Sequence, residues 1–228
     1  MPYSQIKLVS FDLDNTLYDN VPVISFAEQQ SRNYLKAEFK KQNRVFDHQL
    51  FVDYRNQLVS SEKNLRDDQP SQYENLSYLR QQVLLHFCEK LENSLEIANQ
   101  AFELFIKYRN IITIETHISV LLKQLEKKYI LVSVTNGNCE VNKLSIGNLF
   151  KENYSPLTGY RAKPHPQMLN QIIKDFNLEA SQVIHIGDRD DSDGLAAKQA
   201  GCLYYRFEPF IGGRLDIEKC KELVRNIC

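Results

Sequence analysis

The apolar positions along the chain change period twice. Leu8, Val9, Ser10 and Phe11 form a short run that stops at Asp12, and an apolar run of that length bounded by polar turn residues predicts a buried strand. From Val21 to about Ile112 the pattern is helical. Val23, Phe26, Ala27, Tyr34 and Leu35 recur at spacings of three, four and seven. Leu50, Phe51, Tyr54 and Leu58 do the same, as do Leu76, Leu79, Val83, Leu84 and Phe87, and then Ile97, Ala101, Leu104, Phe105 and Tyr108. Four amphipathic helices joined by polar links, the clearest at Arg66–Ser71, predict a small helical bundle inserted after the first strand as a cap. At Thr113 strands and helices begin to alternate. Strands are expected at Ile130–Val134, Val183–Ile186 and Leu203–Phe207. Helices are expected on the Ile118–Leu125 face, over Asn142–Leu149, on the Met168–Phe176 and Leu195–Ala200 faces, and on the Ile217–Ile227 face.

Strands alternating with helices imply right-handed crossovers. The fold class is therefore α/β: a Rossmann-like parallel sheet with helices on both faces, plus an inserted four-helix-bundle cap. Residues 1–17 and 113–228 make the α/β core and residues 18–112 the cap.

Composition adds exclusions. The 228 residues are 43% hydrophobic and 25% charged, with a formal net charge of −1. A near-neutral chain lacks the basic surplus that nucleic acid or an anionic membrane would attract, so neither is expected as a partner. No stretch approaches the ~20 apolar residues of a membrane span. The polar start at Met1–Lys7 does not read as a signal peptide. Cys88, Cys139, Cys202, Cys220 and Cys228 are odd in number and lack metal-binding spacing, which points to free thiols and a cytoplasmic location.

The chemistry concentrates at strand ends. Asp12 and Asp14 follow the first strand at i and i+2, where an open α/β sheet binds ligands. Two carboxylates so close repel unless a cation or a division of acid and base roles relieves them. Thr135-Asn136 ends the second strand, Asp188 follows the third, and Lys163 lies in a loop before it. Taken as one site, Asp12, Asp14 and Asp188 offer hard oxygen ligands suited to Mg²⁺. Thr135 offers a hydroxyl, and Lys163 a point cation for phosphate. Three carboxylates, one divalent ion and one lysine sum to about zero, so a phosphate could enter. Singly, each reads more plainly: a strand-end turn, a solvated lysine, and solvent-facing acids at Asp190 and Asp191. His185 reads as a satisfied core histidine.

Together these residues resemble the haloacid dehalogenase-like superfamily in its phosphatase branch. The resemblance is carried by Asp12-Leu13-Asp14-Asn15-Thr16, Thr135, Lys163 before a proline, and Gly187-Asp188 with Asp193. It implies Asp12 as nucleophile and Asp14 as general acid and base. It implies Thr135, Asn136 and Lys163 as phosphate binders, and Mg²⁺ held by Asp12, the Asp14 carbonyl and Asp188, with Asp193 behind them steadying Lys163 or a metal-bound water. Phe11–Asn20, followed by Pro22-Val23-Ile24, is similar to the bacterial flavin-pathway phosphatases, as is Thr135-Asn136-Gly137-Asn138. These enzymes act on 5-amino-6-(5-phosphoribitylamino)uracil and FMN. The expected partner is a small phosphorylated metabolite bound by a monomer or homodimer. The alternatives on the same fold are a 2-haloacid dehalogenase, a sugar phosphomutase, and a catalytically silent phosphate-binding protein.

Overall fold

The structure, a computed structural model, describes residues 4–61 and 70–228. Strand β1 (Leu8–Phe11) is followed by helices α1 (Asn20–Lys41), α2 (His48–Ser61), α3 (Pro70–Tyr73), α4 (Leu76–Cys88) and α5 (Ser94–Arg109). Then come α6 (Thr116–Glu126), β2 (Ile130–Val134), β3 (Asn153–Tyr154), α7 (Gln167–Asp175) and β4 (Val183–Gly187). The chain ends with α8 (Leu195–Ala200), β5 (Leu203–Arg206), β6 (Phe210–Ile211), β7 (Arg214–Leu215) and α9 (Ile217–Ile227). Two compact units result. One runs up to Val21 and resumes at Ile112; the other is Pro22–Ile111.

The first unit is built on a sheet of order β3-β2-β1-β4-β5, every pairing parallel. All four residues of β1 and all five of β4 are buried, as expected of central strands covered on both faces. Leu121, Leu122 and Leu125 of α6 join Cys220, Leu223 and Ile227 of α9 in a core with Val9, Phe11 and Ile184. Met168, Leu169 and Ile172 of α7 join Ala196 and Ala197 of α8 in a second core with Leu8, Val132 and Val183. Alternate strand residues thus face different cores, and the sheet is wedged between them. Asp216 caps α9 by accepting from the Glu218 and Lys219 amides, and Gly201 (φ 74°) ends α8 in the left-handed conformation.

Two local expectations change. Asn142–Leu149 is not one helix but two 3₁₀ turns, Val141–Lys143 and Gly147–Leu149. Val141, Leu144, Ile146, Leu149 and Phe150 are all buried, a spacing that no single helix face provides. A side chain at Gly147 would collide with the Val141 carbonyl, so the fold-back needs glycine. The structure adds a β6–β7 hairpin, for which Gly212-Gly213 is a turn signal between Ile211 and Arg214; both glycines have positive φ.

In the second unit, Ala27, Ser31, Leu35 and Phe39 recur every four residues as the buried face of α1. Leu35 and Phe39 pack with Leu84 and Cys88 of α4 and with Ile97, Ala98 and Ala101 of α5. The Ser31 hydroxyl donates to the Ala101 carbonyl at 2.8 Å. Phe39, Phe46, Phe51 and Phe87 form an aromatic group with ring centroids 5.1 to 6.0 Å apart. Residues 66–69 of the Arg66–Ser71 link lie outside the described residues; from Pro70 the chain is the one-turn α3. Among the described residues, no helix is long and apolar enough to cross a membrane.

Candidate active site

Sheet register aligns the site. Phe11 lies opposite Ser133 on one side and Ile186 on the other, so β1, β2 and β4 reach one edge together. The Asp12 amide donates to the Ile186 carbonyl at 2.8 Å and carries the ladder one residue further. The chain then turns. Leu17 N–H donates to Leu13 O at 2.8 Å, Asn15 N–H donates to Tyr18 O at 2.8 Å, and Asn15 adopts φ 63°. Asparagine tolerates that conformation better than most side chains. Leu13 and Leu17 are fully buried and anchor the turn, while Asp14 is half-buried and accepts a hydrogen bond from the Tyr18 hydroxyl.

Lys163 is the hub. It is buried, and its Nζ donates to Asp12 Oδ1 at 2.7 Å, to Asp193 Oδ1 at 2.6 Å and to the Val134 carbonyl at 2.7 Å. Three donors thus meet three acceptors. Asn136 places the lysine: its amide donates to Lys163 O at 2.8 Å, and its carbonyl accepts from Lys163 N–H at 2.8 Å. The Asn136 side chain is therefore occupied by the Lys163 backbone. Thr135 is buried, and its hydroxyl oxygen accepts from Gly137 N–H at 2.9 Å.

Burial pushes the Asp12 carboxyl up to about 7; Lys163 opposes the shift, while Asp193 and Asp14 add to it. Burial also raises Asp193, but Lys163 and His185 overcome it and hold Asp193 below the usual carboxylate range. Burial, then the charge of Asp193, raises Asp188. Burial works against the charge on Lys163 too, yet Asp12 and Asp193 raise its proton affinity.

Behind the lysine runs a buried chain of polar side chains. His185 Nε2 lies 3.1 Å from Asp193 Oδ1, and Ser10 Oγ lies 2.9 Å from His185 Nδ1. Asp193 can only accept here, so Nε2 carries the proton and Nδ1 accepts from Ser10. Burial lowers the His185 proton affinity and keeps the ring neutral. Asp193 Oδ2 accepts from the Arg189 amide at 3.1 Å, within the π-turn Asp190–Gly194. A side chain at Gly187 would overlap the Asp193 carboxyl, so only glycine lets the end of β4 and the π-turn approach this closely.

His185→Leu leaves Asp193 and Ser10 short of a partner and is expected to cost about 1–3 kcal/mol at neutral pH. A histidine with depressed folded-state affinity gives stability that is present above 6.5 and lost as pH falls, because the unfolded chain takes up the proton. In urea titrations with EDTA, the gap between wild type and variant should shrink below that pH; a constant gap contradicts a neutral His185.

Asp12, Asp188 and Asp193 bring oxygens within 4.8 Å of one another. Three buried or half-buried carboxylates against one lysine leave two negative charges, which matches one divalent cation. Oxygen donors alone suit Mg²⁺. Asp193 already accepts from Lys163, His185 and Arg189, whereas Asp12 Oδ2 and Asp188 Oδ1 share the Thr16 hydroxyl at 3.3 and 3.4 Å. One hydroxyl proton cannot serve two carboxylates, so Asp12 and Asp188 are the two that could offer oxygens to a cation, while the Asp193 carboxylate is committed to Lys163, His185 and Arg189. The charge count read along the sequence left Asp193 out; here it takes up much of the charge of Lys163. Asp190 pairs with Arg206 at 2.9 Å and Asp191 with Arg189 at 2.7 Å, both exposed. Sequence reasoning gives no role to Ser10 or Thr16, and it reads Tyr18 as a residue of the hinge into the cap, a linker or a substrate contact, whereas its hydroxyl donates to Asp14. Ser10 and His185 had a signal: they are polar residues in strands otherwise apolar, and they are partners in register.

Residues 6–201 match the family model described as haloacid dehalogenase-like hydrolase. The chain belongs to that family. As a haloacid dehalogenase-like hydrolase it is 28% identical over 205 residues to the 5-amino-6-(5-phospho-D-ribitylamino)uracil phosphatase YigB of Escherichia coli (strain K12), covering 88% of this chain and 82% of that protein. It is 27% identical over 205 residues to the glyceraldehyde 3-phosphate phosphatase of Pyrococcus abyssi, covering 86% and 79%. Among solved structures, the 2-haloacid dehalogenase from Pseudomonas syringae pv. Tomato DC3000 superposes with a TM-score of 0.80 at 27% identity, over 98% of this chain and 100% of that one.

Proposed function

We propose that this hydrolase cleaves small phosphate monoesters through an aspartyl-phosphate on Asp12. The observation that carries the reading is the setting of the Asp12 carboxylate. It stands at the carboxyl edge of β1, is fixed on one oxygen by Lys163 and on the other by Thr16, and has Asp14 two residues on.

In the first step an Asp12 oxygen forms a bond to phosphorus and the bond to the ester oxygen breaks. Asp14, oriented by Tyr18, gives its proton to the departing alkoxide. In the second step water attacks phosphorus, Asp14 takes its proton, and inorganic phosphate leaves with Asp12 restored. Thr135 and Lys163 receive phosphate oxygens, and Asn136 keeps Lys163 in place. Asp12, Asp188 and the Asp14 main-chain carbonyl would hold Mg²⁺, which when bound supplies charge neutralisation at the transferring group. Asp193 and His185 orient Lys163.

For the substrate, the name of the Escherichia coli protein supports 5-amino-6-(5-phosphoribitylamino)uracil, the flavin-pathway resemblance of the sequence adds FMN, and the Pyrococcus abyssi protein supports a triose phosphate. A panel holding all three separates them. The Pseudomonas syringae likeness favours a second reading, carbon–halogen hydrolysis. That reaction needs an aspartate nucleophile but no proton donor at Asp14, and Asp14 is present with a hydroxyl aimed at it.

The test uses p-nitrophenyl phosphate and 2-chloropropionate side by side. Hydrolysis of the phosphate ester with Mg²⁺, lost with EDTA, is expected; dehalogenation instead would overturn the reading. Metal ligation requires an ionised Asp12, so the rise in Tm on adding Mg²⁺ should be larger at about pH 8 than at about pH 6.

A further inference from the structure

The helical unit holds a cavity of its own, about 200 Å³ in volume. Every lining residue falls between Glu28 and Arg80, so all of them belong to Pro22–Ile111. Leu35, Phe46, Phe51 and Val52 make its apolar part. Glu28, Arg32, His48, Arg55 and Arg80 make its charged and polar part.

The charges do not balance among the described residues. Three guanidiniums line the cavity with one carboxylate. A single oxygen of Glu28 accepts from Arg55 at 3.2 Å and from Arg80 at 3.1 Å, so one negative charge is shared by two cations. Arg32 donates to His48 Nε2 at 3.2 Å, an acceptor with no negative charge. Arg80 is largely buried, with its guanidinium carbon 3.5 Å above the Phe105 ring. Burial weakens its hold on its proton, Glu28 opposes that, and Arg55 and Arg109 add to the weakening. Converging cations in a partly desolvated cavity repel one another, and a bound anion removes the repulsion. Guanidinium forks match the oxygens of phosphate and carboxylate. At about 30 Å³ per water-sized group, the space suits roughly six heavy atoms.

We infer that this cavity is an oxyanion site of the helical unit, taking the phosphate or carboxylate group of a small metabolite on Arg32, Arg55 and Arg80. The inference does not depend on the chemistry at Asp12.

The test is calorimetric titration of inorganic phosphate, and in a second arm of malonate, into the full chain kept in EDTA. Without a divalent ion the Asp12 cluster is net negative and disfavours anions. Binding of one anion per chain is expected, weakened roughly tenfold or more by Arg32→Gln and by Arg55→Gln. The wild-type chain supplies an independent reading. The bound anion should slow phenylglyoxal modification of Arg32 and Arg55, followed by peptide mass. Protection by phosphate alone assigns a phosphate group, and by malonate alone a carboxylate. Failure of both anions to bind or protect, or binding that both variants leave unchanged, overturns the inference.

Discussion

Asp12→Asn is expected to lower turnover of p-nitrophenyl phosphate by about 10⁴-fold or more while the chain stays folded, because the amide keeps the shape of the carboxylate and loses the nucleophile. The stability side has a definite sign. Burial raises the folded-state Asp12 carboxyl from 3.8 to about 7. A carboxyl raised in the fold gives stability that is present below its unfolded value and lost as pH rises from there to its folded value. Asparagine does not titrate. In EDTA the variant should therefore gain on wild type as pH rises from about 4 to about 7 and hold that gain above it, measured by urea midpoint. It should also lose most of the Tm increase that Mg²⁺ gives the wild type. Full activity in the variant, or an unchanged Mg²⁺ response, contradicts the role given to Asp12.

Lys163→Met is expected to be the most damaging change to fold and activity together. Methionine fills the lysine's stem but leaves Asp12 and Asp193 facing each other with their shared cation gone. Removing one partner of a buried ion pair costs about 3–5 kcal/mol, and this lysine serves two carboxylates and a carbonyl. Turnover should fall by about 10³-fold or more, since Lys163 both fixes Asp12 and offsets charge at the phosphate. Mg²⁺ should recover part of the lost stability, because a divalent ion at Asp12 and Asp188 relieves the same repulsion. A variant as stable as wild type would show that the three contacts of Lys163 contribute little.

Much of this site could be read from the chain because strand ends announce themselves. An apolar run stopping at Asp12, another at Thr135 and a third at Asp188 can meet at one place only in a parallel sheet, and the register confirms that β1, β2 and β4 finish together. The family resemblance put Asp193 beside Lys163, but the residue pattern alone did not. Asp193 reaches the lysine only because a π-turn and the bare Cα of Gly187 bring it inward, and neither leaves a periodic pattern. Ser10 and His185 stand out as polar residues in strands otherwise apolar, but their pairing depends on register between residues 175 apart. The arginine-lined cavity was invisible for a related reason. Helical periodicity reports the buried stripe of each helix, whereas Arg32, Arg55 and Arg80 converge on one cavity from three different helices.

The central claim is a covalent phosphoryl group on Asp12. Rapid acid quench of the wild-type chain during turnover of p-nitrophenyl phosphate with Mg²⁺, followed by peptide mass mapping, tests it directly. The account predicts one phosphoryl group on the peptide that contains Asp12 and none in Asp12→Asn. Phosphate on another residue, or a chain that turns over without ever carrying the group, would contradict it.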